Sequence, residues 1–593
     1  MARLTFITFY NDFSVGVNVL SRTLSEADHD VATIFFKLPS QMPKSWFGED
    51  PTCMETISPE GDIIGSNSDV NPATEKEVGI LTDLIVELRT DILCLSTRSP
   101  DKDTMLQVMP KIRERFKGII IAGGYGATFD VETYLEHVDY VFRGEGENRI
   151  VELMSKLARG ESIRDFPNVA YRDGDRLTIN KLGAPKELPL EKQTITDKSF
   201  YVENDRLYRY EERNELVRYP DAYSIFFGRG CISSCSYCSA GNWRNLYKSE
   251  GHSIGARRNR RIEDIIEELV GIRNEGYTFV NFRDEFLTAK LSDLKLFFEL
   301  YEREVNLPFW AYLVPQQVLA HPELLEIAAD AGFVDSVVGF QSGSDYINRT
   351  YFTRKFPTRV HLEYAHLLAK YNINAKYDFI VFNRAEKEEH IKETFELIQA
   401  LPKKRSYVNC ARLLYLPGTP ASRLFAEFED KPLDFGHYYG ISLLYLICFI
   451  VPPDEFDRVL RDRKLSGSWE DLLAYYKNYL KENDIVFPTG THADPESITT
   501  HRYARIIRKN KYSDIVLWGA GDYYRKMAGI FKGRNVRHHI DDSSAPAGNG
   551  ISAPKVLAGE TSPLPIFVCS PEKRRIKMKI IADFPKYPGK VYV

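Results

Sequence analysis

The chain has 593 residues, of which 43% are hydrophobic and 27% charged, and its formal net charge is -5. This is globular protein long enough for about three or four domains, and the small acidic excess argues against non-specific binding to nucleic acid or an anionic membrane, both of which call for surplus cations. Small molecules are the expected partners. The longest apolar run, Ile441–Val451, is well short of the roughly 20 residues that span a bilayer and stops at Pro452-Pro453, so a buried element is expected and no membrane contact.

Residues 1–160 alternate between candidate strands and helices, the pattern of a doubly wound parallel sheet. The strands are Leu4–Tyr10, Asp30–Lys37, Asp91–Ser96, Gly118–Gly123 and Asp139–Arg143, with amphipathic stretches at Val17–Ala27, Thr74–Arg89, Lys102–Phe116 and Asn148–Arg159. Ligands of such sheets sit at the carboxyl ends of the strands, which directs attention to the loops Asn11–Gly16, Thr97–Pro100, Gly123–Gly126 and Gly144–Glu147. On glycine content alone, Gly123-Gly124 and Gly144-Glu-Gly-Glu147 read as tight strand-to-helix turns.

Residues 161–220 read as a linker. Phe166–Ile179 has a hairpin pattern around Asp173-Gly174, and the polar remainder, ending at Pro220, is expected to act as a spacer that touches substrate. From residue 221 to about 425 the alternation resumes, each strand ending in a polar cluster, as expected of a partial (β/α)6 barrel with its site on the carboxyl rim. The six strands are Tyr223–Phe227, Phe279–Phe282, Phe309–Val314, Ser336–Phe340, Lys376–Val381 and Tyr407–Tyr415. Arg257, Arg258, Arg260 and Arg261 sit just before a helix at Ile262–Arg273, where cations oppose the helix dipole. They are expected either to contact a carboxylate or phosphate or to form a solvated basic loop.

The first of these strands runs into Gly228-Arg-Gly-Cys-Ile-Ser-Ser-Cys-Ser-Tyr-Cys-Ser-Ala-Gly, in which Cys231, Cys235 and Cys238 form a C-x3-C-x2-C triplet. Iron–sulfur clusters commonly take four thiolates, so a compact triplet leaves one iron open to a small molecule. Structural zinc, the competing possibility, takes four ligands, and no further Cys or His lies in this stretch. The other cysteines, Cys53, Cys94, Cys410, Cys448 and Cys569, are scattered without a pairing pattern. No secretory signal is read, so reduced thiols and a cytoplasmic setting are expected.

The triplet, with aromatic Tyr237 just before its third cysteine, resembles the radical S-adenosylmethionine (radical SAM) superfamily. The resemblance implies that the three cysteines hold a [4Fe-4S] cluster, at once the metal site and the catalytic centre, whose open iron chelates S-adenosylmethionine. Asp284 and Glu285 stand where that superfamily has a Gly-Gly-Glu-like segment for the amino group of this molecule. Gln341 and Ser342, in Gln341-Ser-Gly-Ser-Asp345, resemble its ribose-contacting segment, with Gln in place of Glu. Asn383-Arg-Ala-Glu386 departs from a Gly-x-Pro-x-Glu pattern, and Leu416-Pro-Gly-Thr-Pro420 matches the family's P-G-T-P turn.

A doubly wound sheet ending in Asp139-Tyr-Val-Phe-Arg-Gly-Glu-Gly-Glu147, directly ahead of such a core, resembles the cobalamin-binding domain of cobalamin-dependent radical SAM enzymes. This implies cobalamin contacts at Asn11, Asp12, Gly16, Thr97, Arg98, Gly123, Gly124, Gly144 and Glu145. The D-x-H-x-x-G motif that gives an axial histidine is absent, since Ser14 stands two positions after Asp12. The lower face of cobalt is therefore expected to be free of histidine and either open or approached by a side chain such as Arg98.

Residues 426–510 read as a helical extension rich in aromatics, expected to be core packing. Residues 511–593 read as a small Rossmann-like domain, with Gly519 and Gly521 at its first turn and an acid pair at Asp541-Asp542. Its glycine signal is incomplete, because Tyr524 replaces the third glycine, and docking or substrate positioning competes with nucleotide binding. The whole implies a methyltransferase acting on an unactivated carbon of a small-molecule or peptide substrate through a 5′-deoxyadenosyl radical and methylcobalamin, supplied with electrons by a reductase or flavodoxin-type donor. A cyclisation, ring contraction or oxidation with the same cofactors is the alternative enzyme, and a cobalamin or iron–sulfur sensor module the alternative outside enzymology.

Overall fold

The computed structural model describes residues 2–41, 55–65, 71–185, 193, 198–216, 221–381, 383–425, 435–485, 487, 495–519, 522–541, 551–552, 554–559, 562–570, 573–584, 587 and 590–593. The first part of the chain forms β1 (Arg3–Phe9), β2 (Asp30–Phe36), the short β3 (Ser40–Gln41), β4 (Glu55–Ile57) and β5 (Ile63–Gly65), then β6 (Ile92–Ser96), β7 (Ile119–Gly123), β8 (Tyr140–Phe142), β9 (Val169–Asp173), β10 (Arg176–Ile179), β11 (Ser199–Glu203) and β12 (Arg206–Arg209). The first sheet runs β10-β9-β8-β7-β6-β1-β2-β11-β12, parallel from β8 to β11. Side chains alternate across a strand, so Ile7 and Phe9 enter one core with the helices Glu75–Glu87 and Lys102–Arg115, while Leu4 and Phe6 enter the other with Val15–Ser25 and Ile150–Ala158. The five expected strands and the helices between them are all present.

Two assignments of the chain differ from expectation. The 161–220 segment is no mere spacer, because its hairpin β9–β10 pairs with β8 and its β11–β12 pairs with β2, covering both edges of the parallel sheet. β3, β4 and β5 do not join the first sheet but extend the second through β4. Periodicity marks such segments as strands, but which open edge they pair with is a long-range choice.

The second sheet is built from β13 (Ala222–Ile225), β16 (Phe279–Phe282), β17 (Phe309–Trp310), β18 (Phe333–Gln341), β19 (Asn374–Val381) and β20 (Ser406–Arg412), six parallel strands in sequence order. A small ribbon, β14 (Gly228–Arg229) with β15 (Arg258–Asn259), lies between the first two. The antiparallel β4–β5 pair then extends the sheet from β20. Helix Phe435–Ile450, the long apolar run, is buried against this sheet, with Tyr439, Tyr445 and Phe449 in its core. Tyr476, from helix Trp469–Glu482, donates to the Pro59 carbonyl between β4 and β5. Core packing is thus the use of these aromatics, and no described helix is long and apolar enough to cross a membrane.

The last sheet is parallel and uses β21 (Asp514–Trp518), β22 (Asn535–Ile540), β23 (Ile551–Ser552), β24 (Ile566–Val568) and β25 (Val591–Tyr592) in the order β23-β22-β21-β24-β25. Gly519 follows its first strand in the left-handed region, at φ 113°. Gly521 and Asp542 lie outside the described residues.

The β11 edge is fastened by a buried charge cluster. Lys37 Nζ donates to Glu77 at 2.7 Å and Glu203 at 2.9 Å, and the other Glu203 oxygen accepts the Leu38 N–H at 2.6 Å. Removing one member of a buried pair leaves uncompensated charge. Lys37→Met is expected to cost about 3–5 kcal/mol, read as a lower denaturant midpoint in anaerobic unfolding.

Candidate functional site

The cysteine loop leaves β13 and is shaped by one carboxylate from the next strand. Asp284, buried just after β16, accepts the Phe227 N–H at 2.7 Å and the Gly228 N–H at 2.8 Å and pairs with Arg257. Burial pushes its carboxyl up, and the Arg257 guanidinium leads the opposing effects. Arg257 also donates to the Gly230 carbonyl at 3.0 Å. On the far side, Thr353 Oγ1 donates to the Ser234 carbonyl at 2.8 Å, the Ser236 N–H to Phe352 O at 3.1 Å, and Tyr237 packs edge-on against Phe352.

The loop therefore presents Cys231, Cys235 and Cys238 to one cavity of about 350 Å³. Burial raises the Cys231 thiol and pushes the Cys238 thiol up to about 12; coordination to a metal deprotonates such a thiol outright. No group of three His, Cys, Asp or Glu among the described residues is set to hold a single ion. Three thiols on one loop are one short of the four ligands of a structural zinc site and match a cluster that keeps one iron open, so the donor set fits a cluster.

Tyr237, Glu285 and Gln341 line the same cavity, with Arg283, Tyr312, Arg354 and His361. Glu285 is raised by burial and, after an opposing backbone hydrogen bond, by neighbouring Asp284. Asp284 also borders this space, but its carboxylate is occupied by the loop and Arg257, so it braces the site and leaves Glu285 as the acid available to an ammonium. Gln341 stands at φ 67°, an unusual conformation for a residue other than glycine. Ser342 turns away from the cavity: it is buried, and its hydroxyl donates to Glu386 at 3.0 Å, tying the end of β18 to the segment after β19. Of this expected pair, Gln341 lines the cavity and Ser342 does not. Arg354 donates to the Gly339 carbonyl at 2.6 Å and lies 3.0 Å from His361 Nε2, whose ring burial and Arg354 hold neutral, down to about 3.

A second cavity shares Cys231 and Glu285 with the first and is closed by the loops of the first sheet, with Gly16, Ser96, Gly124, Gly144, Glu145 and Glu147 in its wall. Gly124 and Gly144 are at φ 88° and 82°, and a Cβ would meet the Thr97 carbonyl oxygen at 2.6 Å in one case and the Tyr247 hydroxyl at 2.7 Å in the other. Glycine is required at both. Glu145 pairs with Arg258, and Glu147 with Arg229 at 2.5 Å. The Gly-Glu-Gly-Glu run is thus a clamp onto the cysteine loop as well as a wall. Helix Gly124–Phe129 completes the docking: Tyr125 donates to Pro417 O at 2.9 Å and accepts from Asn242 at 2.7 Å, and Tyr125 and Phe129 pack on Trp243.

Several expected contacts lie elsewhere. Arg98 turns back on its own loop, pairing with Asp101 at 2.9 Å and donating to the carbonyls of Phe9 and Tyr10, so its guanidinium is already held by protein. Thr97 is buried, with its hydroxyl on the Gly123 carbonyl, and Gly123 serves that turn. Asn11 donates to Thr8 Oγ1, and Asp12, which does not line the second cavity, feels the charge of Arg283. Of the basic run, Arg257, Arg258 and Arg260 each hold a carboxylate of the chain, Asp284, Glu145 and Glu268. Arg229, Glu147 and Tyr125 lie in runs that the sequence marked, the cysteine loop and the loops Gly144–Glu147 and Gly123–Gly126, but were not singled out within them, and Trp243 was not marked.

A six-strand parallel sheet with a three-cysteine loop after its first strand defines a class, and residues 225–398 match the model of the radical SAM superfamily. That stretch is a radical SAM domain, and the chain is a radical SAM enzyme. It is 24% identical over 422 residues, 68% of this chain and 69% of the relative, to the anaerobic magnesium-protoporphyrin IX monomethyl ester cyclase of Rubrivivax gelatinosus. It is 25% identical over 258 residues to the cytidylyl-2-hydroxyethylphosphonate methyltransferase of Streptomyces wedmorensis, covering 38% of this chain and 45% of that protein. The cobalamin-dependent S-adenosylmethionine radical enzyme OxsB, solved with aqua-cobalamin and S-adenosylmethionine bound, superimposes with a TM-score of 0.53 at 14% identity, over 86% of this chain and 79% of that one, a likeness of fold. A [4Fe-4S] cluster, S-adenosylmethionine and cobalamin are typical of cobalamin-dependent radical SAM enzymes of this kind.

Two outcomes follow from the geometry. Asp284→Ala strands a buried Arg257 and is expected to lose cluster content and about 3–5 kcal/mol of stability, whereas Glu285→Gln keeps the cluster and binds S-adenosylmethionine roughly ten- to a hundred-fold more weakly; iron assay and equilibrium binding separate them. Burial raises Glu386 from 4.5 to about 7, opposed by the Ser342 and Asn383 side chains. Its folded pKa lies above the unfolded one, so its contribution to stability is full below about 4.5 and is lost as pH rises through about 7. Glu386→Gln is expected to remove that loss from the pH dependence of the unfolding midpoint.

Proposed function

We propose that this protein is a cobalamin-dependent radical SAM methyltransferase that methylates an unactivated carbon of a small-molecule or peptide substrate. The observation that carries the reading is the pair of adjoining cavities sharing Cys231 and Glu285, one walled by the cysteine triplet and the other by the strand ends of the first sheet. We read the sequential six-strand sheet as a partial (β/α)6 barrel and the first sheet as the cobalamin domain. Its wall suits a planar macrocycle: it is made largely of glycine and backbone, open space lies above Gly16, and no histidine of the described residues lines it.

When bound, the cluster with S-adenosylmethionine supplies a 5′-deoxyadenosyl radical that removes hydrogen from carbon, and cobalamin supplies the methyl group. The chain's own residues bind and position. Cys231, Cys235 and Cys238 hold the cluster, Glu285 takes the ammonium of S-adenosylmethionine, and Gln341 offers an amide to its ribose. Gly16, Gly124 and Gly144 let cobalamin approach the backbone. The clamp from Glu145 and Glu147 to Arg258 and Arg229 keeps the two cofactor faces in register and excludes water. Electrons come from a reductant of the flavodoxin or reductase type.

Cyclisation or oxidation with the same cofactors is a second reading, supported by the length of the match to the Rubrivivax gelatinosus cyclase. Anaerobic EPR of protein supplied with iron, sulfide and cobalamin tests the cofactor assignment. The expected result is a cob(II)alamin signal without nitrogen superhyperfine splitting and, after dithionite, a cluster signal that S-adenosylmethionine perturbs. A cluster signal without a cobalt signal sinks the methyl-transfer reading. With a substrate in hand, a product heavier by one methylene unit supports methylation, and one of unchanged mass or two hydrogens lighter supports the second reading.

A further inference from the structure

Arg283 is the last residue before the Asp284 brace at the carboxyl end of β16, and it lines the cavity of the cysteine triplet. Nε donates to Ser224 Oγ at 3.0 Å, which orients the group. The side chain is exposed within the cavity, so the guanidinium is open to a ligand there. No carboxylate of a described residue lies within 4.0 Å of it. Of the other arginines lining the two cavities, Arg229 holds Glu147, Arg258 holds Glu145, Arg354 is bound to the Gly339 carbonyl, and Arg244, in the second cavity, donates to Ser234 Oγ at 2.6 Å. A guanidinium oriented by Ser224 and open to a chamber, with no carboxylate at contact distance, is placed to receive an anion.

The groups facing it describe that ligand's place. Asp12, from the loop after β1, is the carboxylate that acts on Arg283 from across the gap, and Arg283 is in turn the first cation acting on Asp12. Tyr312, which also lines the cavity, faces the same guanidinium. This cavity shares Cys231 and Glu285 with the second one, whose wall includes the loops of the first sheet. On the reading proposed above, on which this inference rests, a carbon there is within reach of both cofactors.

We propose that Arg283 anchors a carboxylate or comparably anionic group of the substrate, and that Asp12 balances the guanidinium from a distance while the chamber is empty. The substrates of this enzyme are then acidic molecules held by a bidentate contact at the end of β16. Arg283 becomes the residue that sets their orientation. Glu285, two positions on, serves the ammonium of S-adenosylmethionine, so neighbouring residues of opposite charge sort the two molecules.

The test uses the full-length holoprotein, with cluster and cobalamin loaded anaerobically and S-adenosylmethionine saturating, titrated with succinate as a simple anionic probe. Succinate is expected to bind the wild type, to bind Arg283→Met roughly ten- to a hundred-fold more weakly, and to bind Arg283→Lys with intermediate affinity. Asp12→Asn, which removes the opposing carboxylate, is expected to bind it more tightly, a direction that loss of structure would not give. Cluster content and the S-adenosylmethionine-perturbed EPR signal should be unchanged in Arg283→Met. Equal succinate binding by wild type and Arg283→Met, or no binding by wild type, overturns the proposal. Loss of the S-adenosylmethionine perturbation in Arg283→Met also overturns it, by assigning the guanidinium to that molecule's own carboxylate. A missing cobalt signal with arginine-dependent succinate binding would instead sink the cofactor reading and leave the anion site standing.

Discussion

The buried pair between Asp284 and Arg257 is the constraint on which the site depends. One carboxylate at the end of β16 receives two backbone N–H groups from the segment leaving β13, and the guanidinium that neutralises it also holds the Gly230 carbonyl. A loop that must carry three thiols past one another cannot rely on ladder hydrogen bonds, because it has left the sheet. Its unpaired N–H groups must find acceptors nearby. Asp284 supplies them from inside the protein, and the adjacent Glu285 remains turned to the cavity. Charge and backbone needs are met by the same residue, which leaves the loop fixed before any cofactor arrives.

The same ribbon fastens the two larger sheets to each other. Arg258, next to the brace, crosses to Glu145, and Arg229, two residues before Cys231, crosses to Glu147. Around them Tyr125, Phe129 and Trp243 form an aromatic contact, with the Pro417 carbonyl accepting from Tyr125. Partly buried ion pairs contribute little net affinity by themselves, since desolvation offsets their attraction. What they contribute here is register. On the proposed function, a radical formed on one side and a second cofactor on the other must meet over one carbon, and a misplacement of about 1 Å at this joint would slow the reaction.

The segments that stray from their expected place reinforce the joint. β11 and β12 close one edge of the first sheet and are locked by Lys37 between Glu77 and Glu203. β4 and β5 do not join the first sheet but extend the second beyond β20, where helix Trp469–Glu482 packs against their turn through Tyr476. The chain is therefore interlaced, and neither of the two large sheets is completed by a single continuous stretch of sequence.

Much of this was legible in the residues. Strand and helix periodicity located β1, β2, β6, β7 and β8 to within a residue or two, and the six parallel strands of the second sheet in their order, because burial on one face or both imposes a pattern that local sequence carries. The spacing of Cys231, Cys235 and Cys238 fixed an incomplete ligand set, since three thiols so close in sequence can serve one cluster whatever surrounds them. Partners across the fold were not legible. Nothing near Arg98 announces that the carbonyls of Phe9 and Tyr10 help consume it, nothing near Ser342 announces Glu386, and the Gly144–Glu147 run reads equally well as a turn, a ligand loop or a clamp. The sequence alone determined the elements and the chemistry of the triplet, because those depend on neighbours in the chain. Only the tertiary structure decided which carboxylate each arginine holds, which sheet each edge strand joins, and that Arg283 is left facing the chamber, because those depend on pairings between residues far apart in sequence, chosen by burial and charge together.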